Sequence, residues 1–328
     1  HRPETYLKGG SILGGNAGSL LNGNQHFDLL GELEIPHRWV QAGAGDLGEW
    51  LQGVRTSLVN GRPIDLNAAD RPASVTFIPA NADPQALLQS QGNTCRYFQR
   101  DPLDAVIAIH KGSQEYKAKC HTLSRNLSGR FSSIEEVEGR DLFSFVQKLE
   151  RTRADADRLK EVIEFSKRCM TAVNANLPAG TVRGERVNIR ANTRNPEAAI
   201  KANAYLASPT SSAMMEFLQA LRHREGIEIV RADLFFRALG VLSKHILHPE
   251  LSLPEAAEKY HSEFRHKGRP VGKSRLIGTT LLVKGLEFDH AIVLDATSLS
   301  KKELYVALTR GARSLTIIST SPVLNPRP

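Results

Sequence analysis

Two kinds of apolar pattern alternate along the chain. Short β-branched or apolar runs bounded by Pro, Asp or Gly stand at Val75 to Ile78 and Ala105 to His110, and again at Ile277 to Leu282, Ala291 to Leu294 and Leu315 to Ser319. Runs of this length and composition read as buried strands. Between them lie helical periods. One helix is predicted with Asp46 as N-cap, Glu49 three residues on, and Leu47, Trp50, Leu51, Val54 and Leu58 along one face before Asn60-Gly61 ends it. Another opens at Ser113, with Tyr116, Cys120, Leu123 and Leu127 at helical spacing. Strands alternating with helices predict an α/β fold with a mostly parallel sheet.

From about residue 129 to 270 the pattern changes to helix after helix. Leu142, Val146 and Leu149 form one apolar stripe, Leu159, Val162, Ile163, Cys169, Met170 and Val173 a second, and Met214, Phe217, Leu218 and Leu221 a third. A further helix spans Leu234 to Leu247, and the last begins at Ser252-Leu253-Pro254-Glu255, a capping box with an early proline. Within this block Arg183, Arg186, Arg190 and Arg194 recur in an Asn-rich polar stretch. They suit a phosphate backbone and a solvated linker about equally, with little aromatic interleaving for base stacking.

Composition narrows the class. A hydrophobic content of 41% and a mean hydropathy of −0.30 describe a globular protein. No apolar run approaches the roughly 20 residues needed to span a bilayer, and a cytoplasmic location without membrane contact is expected. The cysteines Cys95, Cys120 and Cys169 are too scattered for a disulfide framework or a metal-ligand spacing, so they read as reduced and structural, and no metal ligands are assigned. A net charge of +8 and a pI near 9.5 suit a polyanionic partner.

Two glycine-containing segments invite a phosphate-loop reading. Residues 1 to 30 carry Gly9, Gly10, Gly14, Gly15, Gly18 and Gly23 but no following Gly-Lys-Ser/Thr, so a surface loop is the better reading. Gly268-Arg269-Pro270-Val271-Gly272-Lys273-Ser274 ends like a P-loop, yet Lys267 stands where the first glycine belongs, and a helical pattern rather than a strand precedes it.

The stretch from Thr279 to Ile318 holds the candidate chemistry. An apolar run breaks at Lys284-Gly285 and resumes at Ala291, which leaves Lys284, Glu287 and Asp289 in a loop at a strand edge, where α/β sheets bind ligands. Glu303 to Arg310 has a helical look, with Leu304, Ala307 and Leu308 on one face, Arg310 pointing out of the helix end and Gly311 as C′ residue. Residue by residue, a turn, a solvated carboxylate and a helix-end cation would serve as well. The joint spacing favours a site.

Thr279-Thr280-Leu281-Leu282-Val283-Lys284-Gly285-Leu286-Glu287-Phe288 resembles motif V of superfamily 1 DNA helicases of the UvrD/PcrA/Rep type, and Tyr305-Val306-Ala307-Leu308-Thr309-Arg310 resembles their motif VI. Leu281 stands where the family has a histidine. Pro36-His37-Arg38-Trp39 is similar to motif IV, in which an arginine precedes a helix. Read from the residues alone, Arg38 is either a phosphate contact or a structural arginine stacked on Trp39 or Trp50.

The resemblance implies a RecA-like, P-loop-NTPase-type parallel sheet from residues 1–128 and 271–328, with residues 129–270 as an inserted all-helical subdomain. It implies the second motor domain of an ATP-dependent DNA helicase or translocase of 3′ to 5′ polarity, acting on single-stranded DNA with a duplex junction. In the family ATP and Mg²⁺ lie between two RecA-like domains. The partner would be the N-terminal RecA-like domain of the same protein, so the chain is expected to be part of a longer one and to be inactive alone, since it carries no P-loop or Walker B acid. The resemblance makes Arg310 and Arg38 γ-phosphate contacts, puts Lys284 and Gly285 near the phosphates and Glu287 toward the ribose, and turns Thr279 and Thr280 toward DNA. A non-catalytic nucleic-acid- or partner-binding module with the same fold is the alternative.

Overall fold

A computed structural model describes residues 37–136, 138–267 and 274–327. The glycine-rich segment of residues 1–30, Pro36 and the P-loop look-alike at 268–273 lie outside the described residues. In chain order the elements begin with α1 (His37–Gln41), α2 (Gly45–Val59), β1 (Ile64–Asp65), β2 (Val75–Pro79), α3 (Pro84–Tyr97), β3 (Val106–His110), α4 (Gln114–Asn126) and β4 (Ser132–Ser133). A helical block follows: α5 (Arg140–Arg151), α6 (Asp155–Cys169), α7 (Ala179–Val182), α8 (Pro196–Ala207), α9 (Ser211–Arg222), α10 (Ala232–Leu247) and α11 (Leu253–Lys267). The chain then forms β5 (Arg275–Thr279), α12 (Thr280–Val283), β6 (Phe288–Val293), α13 (Lys301–Leu308), β7 (Gly311–Ser319) and β8 (Val323–Leu324).

The fold is α/β, with a six-stranded parallel sheet of order β2-β7-β6-β3-β5-β4 and a small antiparallel pair, β1 with β8. The chain divides into two compact units, whose described residues are 37–93, 103–112 and 283–327 in the first and 94–102, 113–136, 138–267 and 274–282 in the second.

In the first unit β3 and β6 pair in parallel, Ile107 opposite Ala291 and Ile109 opposite Val293, although most of the chain lies between them. Every residue of β3 is buried, as a strand covered on both faces requires. The second unit has a continuous helical core. Leu142, Phe145, Val162, Phe165, Phe217 and Leu242 each keep 2% or less of their surface, and the Phe145 and Phe165 rings stack at 3.9 Å. Full burial of such side chains stabilises by about 1.5–3 kcal/mol each before conformational entropy is subtracted.

Helix starts follow the sequence at Ser113, whose side chain accepts from Tyr116 N, and at Ser252, which exchanges bonds with Glu255. Three local readings are corrected. Asp46 does not cap α2: Ala44 holds that position, and Asp46 lies inside the first turn with Oδ1 accepting from Leu47 N at 2.8 Å. The strand read as Ile277 to Leu282 stops at Thr279, because a helical turn buries Val283 while Leu281 turns out to 75% exposure. Gly311 is no C′ residue. Thr309 ends α13, and Gly311 opens β7.

Candidate functional site

In the first unit, segments far apart in sequence meet at the N-terminal ends of β6 and β7. Arg38, in the short helix α1, donates from Nη1 to Glu287 at 3.3 Å and from Nη2 to the carbonyl oxygens of Thr309 and Gly311, the second at 3.3 Å. Its guanidinium lies 4.4 Å from the Trp39 ring centroid, and Trp39 Nε1 donates to the Gly311 carbonyl at 3.0 Å. Of the two readings of Arg38 the stacked one is present, on Trp39 rather than Trp50, and its buried Nε has no hydrogen-bond partner among the described residues.

Arg310 does not point away from the helix end. Its Nε donates to Val306 O at 2.9 Å, Nη1 to Leu286 O at 2.7 Å and Nη2 to Thr309 Oγ1 at 3.0 Å. The carbonyls left over at a helix C-terminus attract a cation placed just beyond it, and Arg310 satisfies one of them. The turn ahead of β6 and the end of α13 are thereby joined through a single side chain.

Ahead of β6 the chain turns through Gly285 at φ +80°, with Leu286 N donating to Val283 O at 3.0 Å. Lys284, Gly285 and Glu287 are all exposed there. Thr279 and Thr280, in the second unit, are buried at 4% exposure each, and the exposed residue of that segment is Leu281.

A partly buried network beside the candidate site carried no distinctive sequence signal. His290 bonds Ser314 Oγ through Nδ1 at 2.7 Å and Asp104 through Nε2 at 3.0 Å, while Arg313 pairs with Asp104 at 2.9 Å and with Asp289 at 3.3 Å. The partners are those of a hydrolytic triad. Here, however, His290 and Ser314 are register neighbours on β6 and β7 and both are buried, so the bonds serve the sheet.

In the second unit His121, Glu135 and Asp141 bring ligand atoms within 4.8 Å of one another. Arg231 already fills that donor set. Its Nε and Nη2 each reach a different Glu135 oxygen at 2.7 Å, and Nη2 also bonds Asp141. Burial and the nearby Arg231 charge bring the His121 imidazole down to about 4. The cluster is an ion-pair knot.

Among the remaining arginines of interest, Arg183 pairs with Glu185 at 2.8 Å on the surface, and Arg186, Arg190 and Arg194 are exposed. Val187 is held at both backbone groups by the Asn203 side chain of α8, so the stretch is anchored there. The three thiols are buried, and that burial raises each to about 12, which makes them unreactive. Among the described residues no helix is long and apolar enough to cross a membrane.

Fold and cluster together define an α/β protein with a parallel sheet and an arginine-bearing rim at the start of two adjacent strands. No protein-family model matches the chain, and no curated protein matches it.

Proposed function

We propose that this chain is the second RecA-like domain of an ATP-dependent DNA helicase or translocase, with its helical block as the inserted subdomain. What carries the reading is the convergence of Arg38, Glu287 and Arg310 on one rim, since these positions come from three separate stretches resembling helicase motifs IV, V and VI. Guanidinium groups held by backbone carbonyls are preorganised donors, and donors fixed where phosphoryl charge develops stabilise the transition state most. Arg310 and Arg38 would supply that charge, Lys284 would reach the phosphates from the exposed turn, and Gly285 would let backbone approach closely. Bound ATP supplies the phosphoryl group that is transferred.

The carboxylates near the rim do not fit a magnesium site, which asks for available oxygen ligands. Asp104 and Asp289 are committed to Arg313 and its neighbours, Glu303 accepts from Ser300 and Gly112, and Glu287 on the rim is paired with Arg38. The metal of the reaction would be held by another domain.

DNA-stimulated ATP hydrolysis by the intact natural protein carrying this sequence is the test. Mg²⁺-dependent turnover that rises with single-stranded DNA supports the motor reading. Tight DNA binding without turnover supports a non-catalytic module, a reading favoured by one observation: both arginines are tied to carbonyls of their own unit.

A further inference from the structure

The helical unit contains a cavity of about 610 Å³ that the helicase reading does not use. Its size falls within the roughly 300–1,000 Å³ typical of small-molecule sites. Leu149, Met214, Ile246 and Leu253 give it an apolar wall, and Arg158, Tyr205 and the first turn of α9 face the same space.

Three polar features converge there. Arg158 is pinned by its Nε, which donates to the Thr152 carbonyl at 2.7 Å, and no carboxylate among the described residues pairs with its outer nitrogens. Tyr205 is 1% exposed and lines the cavity, and its phenol feels the charges of Arg158 and Asp155. Burial raises that phenol to about 12, so it stays protonated and can donate. Thr210 caps α9 by accepting from Ala213 N, which leaves the N–H groups of Ser211 and Ser212 as the unsatisfied start of a 12-residue helix. Ser211 Oγ is further fixed by His245 Nδ1 at 2.9 Å.

A planar guanidinium, a buried phenol and a helix N-terminus are together suited to an oxyanion, and the apolar lining suits hydrocarbon. Glu150 also lines the cavity, and its negative charge opposes a ligand with more than one. We propose that this cavity binds a small monocarboxylate with an unbranched apolar tail, the carboxylate held by Arg158, Tyr205 and the Ser211–Ser212 turn.

The test uses the whole chain and hexanoate, with hexanol as the uncharged probe of equal length. Amide chemical shifts of Ser211 and Ser212 and calorimetric titration both report binding. Saturable hexanoate binding is expected, with hexanol weaker by about tenfold or more, because charge-assisted hydrogen bonds contribute about 1.5–3 kcal/mol. Arg158→Gln should weaken hexanoate by about tenfold. Tyr205→Phe keeps the ring in the core and should weaken it by severalfold, so the proposal stays testable if Arg158→Gln does not fold. Absence of saturable binding would overturn the assignment. So would hexanol binding as tightly as hexanoate, or hexanoate affinity unchanged in a folded variant.

Discussion

Arg310 Nη1 donates to the carbonyl oxygen of Leu286 at 2.7 Å, so the residue just beyond α13 holds the turn that leads into β6. A side chain in that position has two jobs to lose. Arg310→Ala should lower DNA-stimulated kcat of the intact protein by about 10²-fold or more if the guanidinium also meets the γ-phosphate. It should cost about 1–3 kcal/mol of stability in either case, because charged donors to two carbonyls disappear. Turnover measured well below the melting temperature separates the two effects. Arg310→Lys should stay impaired, since one ammonium cannot reproduce the fork that spans Val306, Leu286 and Thr309. Near-normal turnover in the alanine variant would remove Arg310 from the site.

The Arg231–Glu135 pair predicts a different signature. Both side chains are at least 93% buried, and breaking a buried pair strands a charge. Arg231→Met should destabilise the protein by about 3–5 kcal/mol, whereas Arg231→Met with Glu135→Leu should recover much of the loss. Urea unfolding of the two variants decides it. A single variant no less stable than the double would show that the pair is unimportant.

Much of this was legible in the chain, and the exceptions have physical causes. The buried strand Val106–His110, the Ala291–Val293 part of β6 and the Ser252 capping box depend on neighbours close in sequence, so periodicity and cap chemistry suffice, but β6 begins already at Phe288 and takes in Asp289, which the sequence pattern puts in the loop. The helix α8, capped by Asn195 with Pro196 at its start, escaped notice because its alanine-rich surface gives a weak apolar stripe. The motif arginines could be picked out by resemblance, but the Thr309, Gly311 and Leu286 carbonyls that hold them could not. Those are contacts across 24 to 273 residues, set by tertiary packing.

His121 should make stability depend on pH in a defined window. The imidazole titrates near 4 in the fold against an ordinary 6.5, because burial and then Arg231 disfavour its charged form. Ser133 Oγ at 2.7 Å, Glu135, Asp141 and Lys117 complete its surroundings. A depressed value means that the unfolded chain takes up the proton first. Stability is therefore whole above 6.5 and drains as the pH falls from 6.5 to about 4. The Asp141 carboxyl, held below its ordinary 3.8 by Arg231 despite burial, loses its contribution only at still lower pH. Urea midpoints at about pH 7, 5.5 and 4.5 should fall in the native protein and fall less in His121→Gln. Equal slopes in the two would assign the acid sensitivity elsewhere.

Gly285 and Gly311 flank the candidate rim and should respond differently to alanine. At Gly285 the backbone sits at φ +80° with no atom within 4 Å of an added Cβ, so Gly285→Ala costs only the left-handed conformation, about 1–2 kcal/mol. Gly311 has the opposite problem. An added Cβ would overlap the Ser314 carbonyl oxygen and lie 3.0 Å from Ala291 N, and both obstacles are backbone within the bulged β6–β7 ladder. Relief requires moving strands that also present the Gly311 carbonyl to Arg38 and Trp39. Gly311→Ala should therefore destabilise by about 2–3 kcal/mol, the upper part of the overpacking range, and loosen Arg38 from the rim. Thermal unfolding gives the first quantity. The second follows from the Trp39 indole N–H resonance, which should shift in Gly311→Ala and hold its place in Gly285→Ala. If both variants melt alike and leave that resonance alone, the close packing of Gly311 against β6 is not what builds this rim.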